Sequence, residues 1–193
     1  MARTEEFDRE LVLEKAMNLF WEKGYNGTSM QDLVERTGLN RSSLYNSFGS
    51  KLDLYEETLK SYQKQTGGMF QKALLKARDP LEAIQQIFET FIPVILGDKQ
   101  EKGCFILNCK MEMGNQDAAI NKWLLDNQEN QLNTFQELVS EGQEQGLINK
   151  KEDSLSYAYY IMSAFQGFRL TGILVKKEEV LRQLIQNVVS VLK

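Results

Sequence analysis

Residues 28–48 read TSMQDLVERTGLNRSSLYNSF, two short segments with apolar residues separated by a glycine. Leu33 marks the buried side of the first segment, and Leu44 and Phe48, four residues apart, mark that of the second. Gly38 lies between them, at a position where glycine readily ends a helix. Two short helices joined by a glycine-containing turn have the spacing of a helix-turn-helix motif.

Capping residues predict the ends of these helices and of their neighbours. Thr28 and Gln31 have capping-box spacing and are expected to open the second helix. Asn40 and Ser50 are expected to cap the third and fourth helices. The four predicted helices run from Asp8 to Lys23, from Thr28, from Asn40, and from Lys51 to about Gln65.

The remaining sequence predicts longer helices. Asp79-Pro80 combines an N-cap with a proline at the first helical position, and Pro93 is expected to kink or end that helix. Since helical periodicity continues to the C-terminus, we predict an all-α fold. Further predicted elements are a short segment from Cys104 to Met113 and helices from Ala118 to Gln145, from Asp153 or Ser154 to Val175, and from Glu178 to Leu192.

The composition excludes several kinds of chemistry. The 193 residues contain no histidine, which excludes a Ser-His-Asp triad, a Cys-His pair and a His-ligated metal site. The two cysteines cannot form a four-cysteine zinc site. We therefore expect no enzymatic activity, no cofactor and no metal. The sequence has neither a signal peptide nor the run of about 20 apolar residues that crosses a bilayer, so we expect a cytoplasmic protein without membrane contact.

The second helix of the motif is expected to expose side chains suited to DNA. With its apolar residues inward, Arg41, Ser42, Tyr45 and Asn46 point outward, and these types hydrogen-bond base edges or phosphates. The window 36–51 has three basic and no acidic residues, whereas the rest of the first 51 residues has four basic and eight acidic. A local basic window in a chain of net charge −4 is typical of a phosphate-binding surface. The pattern alone is equally compatible with an all-α protein that does not bind DNA.

Three segments of this region, KGYNGTSM at 23–30, LVERTGL at 33–39 and LYNSFGSK at 44–51, resemble the TetR/AcrR family of one-component transcriptional regulators. The resemblance covers about Phe7 to Tyr55. It implies a ligand-responsive DNA-binding regulator. A repressor that binds a palindromic operator and is released by a small effector is the expected form.

The resemblance also implies a domain organisation. A three-helix helix-turn-helix domain would occupy residues 1–50, and a larger helical domain for effector binding and dimerisation would occupy residues 51–193. The last two helices are the expected homodimer interface, because the apolar stripe of the final helix is too wide for one neighbour. The expected partners are double-stranded operator DNA, a second copy of the chain and an effector.

Family positions that contact DNA map onto this sequence residue by residue. They imply phosphate contacts from Tyr45 and from Lys51 at the start of the fourth helix. Asn46 stands where many family members have an aromatic residue or histidine, so the operator sequence is not predicted. The expected DNA-binding residues are Thr28, Ser29, Arg41, Ser42, Ser43, Tyr45, Asn46 and Lys51.

Aromatic residues on several predicted helices indicate either a packed core or an apolar pocket with a few polar groups. A pocket of this composition would take a largely apolar effector. The candidate pocket residues are Phe88, Phe91, Cys104, Asn108, Trp123, Phe135, Tyr157, Tyr160 and Phe165.

Two alternative functions follow from the same residues. The segment KGCFILNC at 102–109 resembles a Gly-Cys-apolar element of one branch of the family, in which some members sense electrophiles or oxidants, so Cys104 is a candidate sensor. The other interpretation, which the residues alone favour, is that Cys104 and Cys109 are small buried hydrophobic residues. An all-α small-molecule carrier without DNA binding is the alternative from another class.

Overall fold

The computed structural model describes residues 7–193, which fold into nine α-helices without strands. This confirms the all-α class, with an N-terminal helix-turn-helix unit followed by a larger helical region. No helix among the described residues is long and apolar enough to span a membrane. The helices are α1 (Arg9–Lys23), α2 (Met30–Thr37), α3 (Arg41–Phe48), α4 (Lys51–Lys76), α5 (Pro80–Gly97), α6 (Phe105–Met113), α7 (Ala118–Glu144), α8 (Ser154–Leu174) and α9 (Glu178–Leu192).

The start of α2 differs by one residue from the prediction. Ser29 is the N-cap, because its Oγ accepts from the Asp32 backbone N–H at 3.1 Å and the Asp32 carboxylate accepts from the Ser29 N–H at 2.8 Å. The predicted Thr28–Gln31 capping box is wrong. The Thr28 hydroxyl donates to the Gly24 carbonyl oxygen at 2.6 Å, which commits it to the preceding turn.

The turn between α2 and α3 forms as the sequence predicts. Gly38 ends α2 in the left-handed conformation, with φ 81°, which glycine adopts at little cost. Asn40 caps α3, and its Oδ1 accepts from the Ser43 backbone N–H at 2.8 Å. These two ends fix the direction of α3 relative to α2.

Helix α4 is longer than predicted. It continues past Gln65 and through the exposed pair Gly67 and Gly68 to Lys76. Two glycines in a helix cost about 1 kcal/mol each. Ala73, in the C-terminal half of the helix, is fully buried in the core, and Met69, Phe70 and Leu74 pack against the same core, which offsets that cost.

Helix α5 does not end at Pro93. It begins at Pro80 after the predicted Asp79 N-cap and continues to Gly97. Pro93 is exposed, whereas Ile92 and Ile95 are buried on the inner side. The helix therefore continues, because its apolar face is packed on both sides of the proline.

Two hydrophobic clusters hold the molecule together. The body cluster joins buried residues of α5, α7, α8 and α9, with Phe91, Phe135 and Phe165 among its aromatic members. The head cluster lies beneath α1–α3 and also includes residues of α4, α6 and α7. Its buried members are Val12, Ala16, Met17, Leu19, Phe20, Leu33, Leu39, Leu44, Phe48, Leu54, Tyr55, Leu59, Tyr62, Phe105, Cys109, Met113, Ile120 and Leu124.

Candidate DNA-binding face and effector cavities

One face of α3 is turned to solvent. Leu44 and Phe48 are 1% and 4% exposed and anchor the helix in the head cluster. Their burial leaves Arg41, Tyr45 and Asn46 exposed on the opposite side. We name this surface the α3 face; it consists of Arg41, Ser42, Tyr45 and Asn46.

The three basic residues of the window 36–51 are in different surroundings. Arg36 donates to both carboxylate oxygens of Glu22 on α1, at 3.1 and 2.7 Å, and the pair raises the pKa of Arg36 and lowers that of Glu22. Lys51 donates to the Thr28 carbonyl oxygen at 2.6 Å. Arg41 forms no ion pair within the described residues, so its guanidinium is available to an incoming anion.

Lys51, which is predicted to contact a phosphate, makes two contacts within the protein. Its ammonium lies 4.2 Å from the centroid of the Tyr25 ring and is partly buried, and burial lowers the pKa of Lys51. In this arrangement Lys51 ties the start of α4 to the turn before α2. The side chain of Thr28, another predicted DNA contact, is 1% exposed, and its role at DNA stays a prediction.

Capping interactions also involve two serines that are predicted to contact DNA, Ser29 and Ser43. The Ser29 hydroxyl donates to the Asp32 carboxylate at 2.6 Å, and the Lys23 ammonium, with this bond as a smaller contribution, holds the pKa of Asp32 well below its usual range. Ser43 is half-buried at the first turn of α3. Ser29 therefore stays exposed while its hydroxyl is engaged by Asp32, and Ser43 is only partly accessible.

The predicted effector residues divide into three groups. Phe91, Cys104 and Phe165 line one small cavity. A second group is buried in the body cluster: Phe88, Phe135 and Tyr157. A third group lies away from that cavity: Asn108 donates to the Lys102 carbonyl oxygen, Trp123 packs against the head cluster, and Tyr160 lies on the exposed side of α8.

We name the small cavity the aromatic cavity. It encloses about 50 Å³ and is lined by residues that include Tyr62, Phe70, Phe91, Cys104, Phe165 and Arg169. A larger cavity, which we name the loop cavity, measures about 490 Å³. It is lined by Trp21, Val94, Ile95, Gly97, Asp98, Lys99, Gln100, Lys102, Gly103, Arg169 and Gly172.

Sequence reasoning missed Arg169, which lines both cavities. A signal for it was present, because Arg169 is the one charged residue in the 21-residue helix α8. Tyr62, whose hydroxyl accepts from Arg169 Nη2 at 3.2 Å, was also missed. Burial raises the pKa of Tyr62.

The two cysteines are free thiols in different surroundings. Cys109 is fully buried in the head cluster, and burial raises the pKa of its thiol to about 11. Cys104 is half-buried at the N-cap of α6 and faces the aromatic cavity. Of the two cysteines, only Cys104 therefore lines a cavity.

Two sets of polar contacts join the first helices to the later part of the chain, and one of them lies beside the loop cavity. The indole N–H of Trp21 on α1 donates to the Lys102 carbonyl oxygen at 3.0 Å, beside the loop cavity. The carboxylate of Glu112 on α6 accepts from the backbone N–H groups of Tyr25 and Asn26 at 2.9 and 2.8 Å. A shift of Lys102 would therefore displace its contact with α1, and a shift of α6 would displace its contact with the turn before α2.

A capped helix with exposed arginine, tyrosine and asparagine, supported by two further helices and a cavity-bearing body, defines a DNA-binding protein of the helix-turn-helix class. Two family models match this chain. The model described as bacterial regulatory proteins, tetR family, matches residues 12–58, and that described as tetracyclin repressor-like, C-terminal domain, matches residues 80–188. The chain belongs to the TetR family of DNA-binding transcriptional regulators.

Individual relatives agree with this membership. The chain is 32% identical over 157 residues to the uncharacterized HTH-type transcriptional regulator YezE of Bacillus subtilis (strain 168). This alignment covers 81% of this chain and 80% of YezE. It is 28% identical over 171 residues to the HTH-type transcriptional repressor ComR of Escherichia coli (strain K12), which covers 88% of this chain and 81% of ComR.

Solved structures share the fold. A cysteine mutant of the TetR family transcriptional regulator CifR, complexed with 26 bp double-strand operator DNA, superimposes with a TM-score of 0.87. The two chains are 23% identical and are covered completely. At this identity the likeness shows the fold.

Proposed function

We propose that this chain is a transcriptional repressor that binds a palindromic operator as a homodimer and is released by a small effector. The observation that carries the proposal is the α3 face, because Arg41, Tyr45 and Asn46 are exposed on a helix anchored from below by Leu44 and Phe48. The second helix of a helix-turn-helix enters the major groove in this way. The relative ComR is named a repressor, which supports that direction of regulation.

Ser42, Ser29 and Ser43 complete the proposed DNA-binding surface around these three residues. We assign base reading to Arg41 and Asn46, since arginine pairs with guanine and asparagine with adenine. Tyr45, which is 40% exposed, is assigned to a phosphate. A protein with this role acts where the bacterial chromosome is, in the cytoplasm.

The proposed homodimer uses the outer side of α8 and α9. On α8, Tyr159, Ser163, Gly167, Leu170 and Leu174 are all exposed and follow one another at helical spacing. Leu170 and Leu174 are 63% and 80% exposed, which is unusual for leucines on one stripe. A second copy of the same stripe would cover them, and the small residues at its centre would let the two helices approach closely.

Effector release is proposed to act through the contacts between cavities and head. The loop cavity is walled by Lys102 and Gly103, and the Lys102 carbonyl oxygen holds Trp21 of α1. An effector that binds a DNA-incompetent arrangement more tightly lowers operator affinity by that difference in affinity alone.

The DNA-binding step is tested by selecting duplexes from a random-sequence pool with the purified protein. The expected result is an enriched inverted repeat whose half-sites are about one helical turn apart. Tyr45→Phe serves as the matched variant of Tyr45→Ala, because it keeps the ring and removes the hydroxyl. Recovery of no enriched sequence would favour the alternative of a carrier that does not bind DNA, whereas equal binding of the enriched duplex by Tyr45→Ala would contradict the phosphate contact assigned to Tyr45.

The dimer is tested with Leu170→Glu, and Leu75→Glu is the matched control on α4. Leu75 is 84% exposed and lies outside the proposed interface. Sedimentation is expected to show a monomer for Leu170→Glu and a dimer for the wild type and for Leu75→Glu. A dimer that persists in Leu170→Glu argues for a different interface.

A regulator that senses oxidants or electrophiles through Cys104 is the second candidate. It is favoured by the position of Cys104 at the aromatic cavity, whereas Cys109 is fully buried. Alkylation is then expected to weaken operator binding in the wild type and to leave Cys104→Ser unaffected. A Cys104→Ser protein that still responds would exclude this sensor.

A further inference from the structure

Arg169 is a buried cation without an anionic partner. It is 4% exposed, and its Nη2 donates to the Tyr62 hydroxyl at 3.2 Å and to the Gly103 carbonyl oxygen at 3.4 Å. Its guanidinium carbon lies 4.4 Å from the Phe91 ring centroid, and its Nε has no hydrogen-bond partner. No carboxylate within residues 7–193 forms an ion pair with it.

A charge in this position requires compensation. Buried charges in proteins are ordinarily paired and fully hydrogen-bonded, because removing them from water is costly. The partners of Arg169 are a neutral hydroxyl, a neutral carbonyl and an aromatic ring. An arginine in such a place lacks the anion that would complete an ion pair.

The loop cavity has room for an anion that would pair with Arg169. Its volume of about 490 Å³ lies within the range of ligand sites, whereas the aromatic cavity holds about 50 Å³. Its cationic side chains are Lys99, Lys102 and Arg169, against the single carboxylate of Asp98. Asp98 is already engaged, because it accepts from the Gly103 backbone N–H at 2.8 Å. The surroundings therefore favour an anion.

We propose that the loop cavity binds a small organic monocarboxylate, whose carboxylate pairs with Arg169 and whose apolar part packs against Val94 and Ile95. The planar guanidinium matches a carboxylate with two parallel hydrogen bonds. This proposal names the chemical class of the effector and rests on the proposed function in that respect. It refines the expectation of a largely apolar effector by adding one acid group.

Pairing with a carboxylate also has a consequence for the loop. Arg169 Nη2 now donates to the Gly103 carbonyl oxygen, and a bound carboxylate competes for that donor. The neighbouring Lys102 carbonyl oxygen holds Trp21 on α1. Occupation of the cavity is thereby connected to the position of the first helix of the head.

The experiment compares acids with their uncharged amides on the full chain. Benzoate and hexanoate are titrated by calorimetry beside benzamide and hexanamide, with inorganic phosphate as a further anion. The expected result is saturable binding of at least one acid, with its amide about 10- to 100-fold weaker, since a hydrogen-bonded charge is lost. Binding by neither acid, or equal binding of acid and amide, overturns the proposal, as does phosphate binding tighter than both acids.

Two variants locate the site. Arg169→Met is expected to weaken acid binding about 10- to 100-fold, whereas Lys150→Met, which removes an exposed charge outside the lining of the cavity, is expected to change it by less than about threefold. Equal losses would mean nonspecific attraction and overturn the proposal. The acid–amide comparison on the wild type does not depend on whether Arg169→Met folds.

The same samples separate this proposal from the proposed function. DNA binding is measured first without any acid, on the duplex obtained by selection. A protein that binds this duplex but no acid remains a regulator, and only the ligand class is wrong. A protein that binds an acid through Arg169 with unchanged DNA affinity keeps the ligand site and loses effector release.

Discussion

Replacing Arg41 by alanine should weaken binding to the selected operator and relax the preference at one base position. A bidentate arginine–guanine pair is worth about 1–3 kcal/mol of discrimination. In the free protein the Arg41 guanidinium carbon lies 5.7 Å from the Tyr45 ring centroid. An exposed contact of this kind is worth about 0.5 kcal/mol and is given up when the guanidinium reaches a base. The net loss is about 0.5–2.5 kcal/mol, or about 2- to 70-fold in affinity.

The assay is fluorescence anisotropy on the operator and on duplexes with each base of one half-site changed in turn. Arg36→Ala is the matched control, because it also removes one positive charge from the same motif. Arg36 is held by Glu22 at 2.7 Å on a neighbouring helix, and its loss is expected to change affinity by less than about threefold, because an exposed ion pair of this kind contributes little. An equal loss in the two variants, or an unchanged base preference in Arg41→Ala, would refute the assignment of base reading to Arg41.

Lys51→Met is expected to weaken binding to all DNA sequences alike, because Lys51 holds the Thr28 carbonyl oxygen before α2 and reads no base. A fall of about 0.9 in the slope of log affinity against log salt concentration would show that Lys51 contacts a phosphate instead. Asn40→Ala removes the cap of α3 and should lower the free energy of unfolding in urea by about 1 kcal/mol, against a few tenths for Asn40→Gly; equal midpoints for the three proteins would contradict this. The pKa of the Cys109 thiol is raised from 9.0 to about 11, so the unfolded chain ionises first as pH rises and stability falls from about pH 9 to 11. Cys109→Ala should show a shallower decline over that interval, and parallel curves would exclude this cause.

Local signals in the sequence were sufficient for most of the fold. Asn40 and Ser50 cap α3 and α4 as predicted, because a cap depends on residues within one turn. The wrong prediction at the start of α2 also comes from a pattern within one turn. Thr28 with Gln31 and Ser29 with Asp32 both fit a local pattern, and the buried environment of Thr28 decides between them.

Features that depend on distant residues could not be predicted. Helix α4 continues through two glycines because of what it packs against, which no local propensity records. The pairing of Arg36 with Glu22 brings together residues of α1 and α2. The sequence showed three equivalent basic residues, and only tertiary structure distinguishes Arg41 from the other two.

The candidate effector site shows the same limit more strongly. Aromatic residues marked the body cluster but not its cavities, because a packed ring and a cavity wall have the same composition. Of the predicted residues, Phe91, Cys104 and Phe165 share a cavity. Arg169 was visible as a lone charge on an apolar helix, yet the absence of a carboxylate beside it appears only in three dimensions.

The extent of the head cluster has a consequence for protein engineering. Phe105 and Met113 of α6 and Leu124 of α7 cover the underside of the first three helices, although they lie at least 57 residues beyond Phe48, the last residue of α3. Consider a chimera that takes α1–α3 from another regulator, with a single crossover near residue 50. It would place unrelated side chains against these three residues. Transplanting the DNA specificity of this regulator onto another sensor therefore requires a matched set of replacements in α6 and α7, or a graft limited to the outer surface of α3.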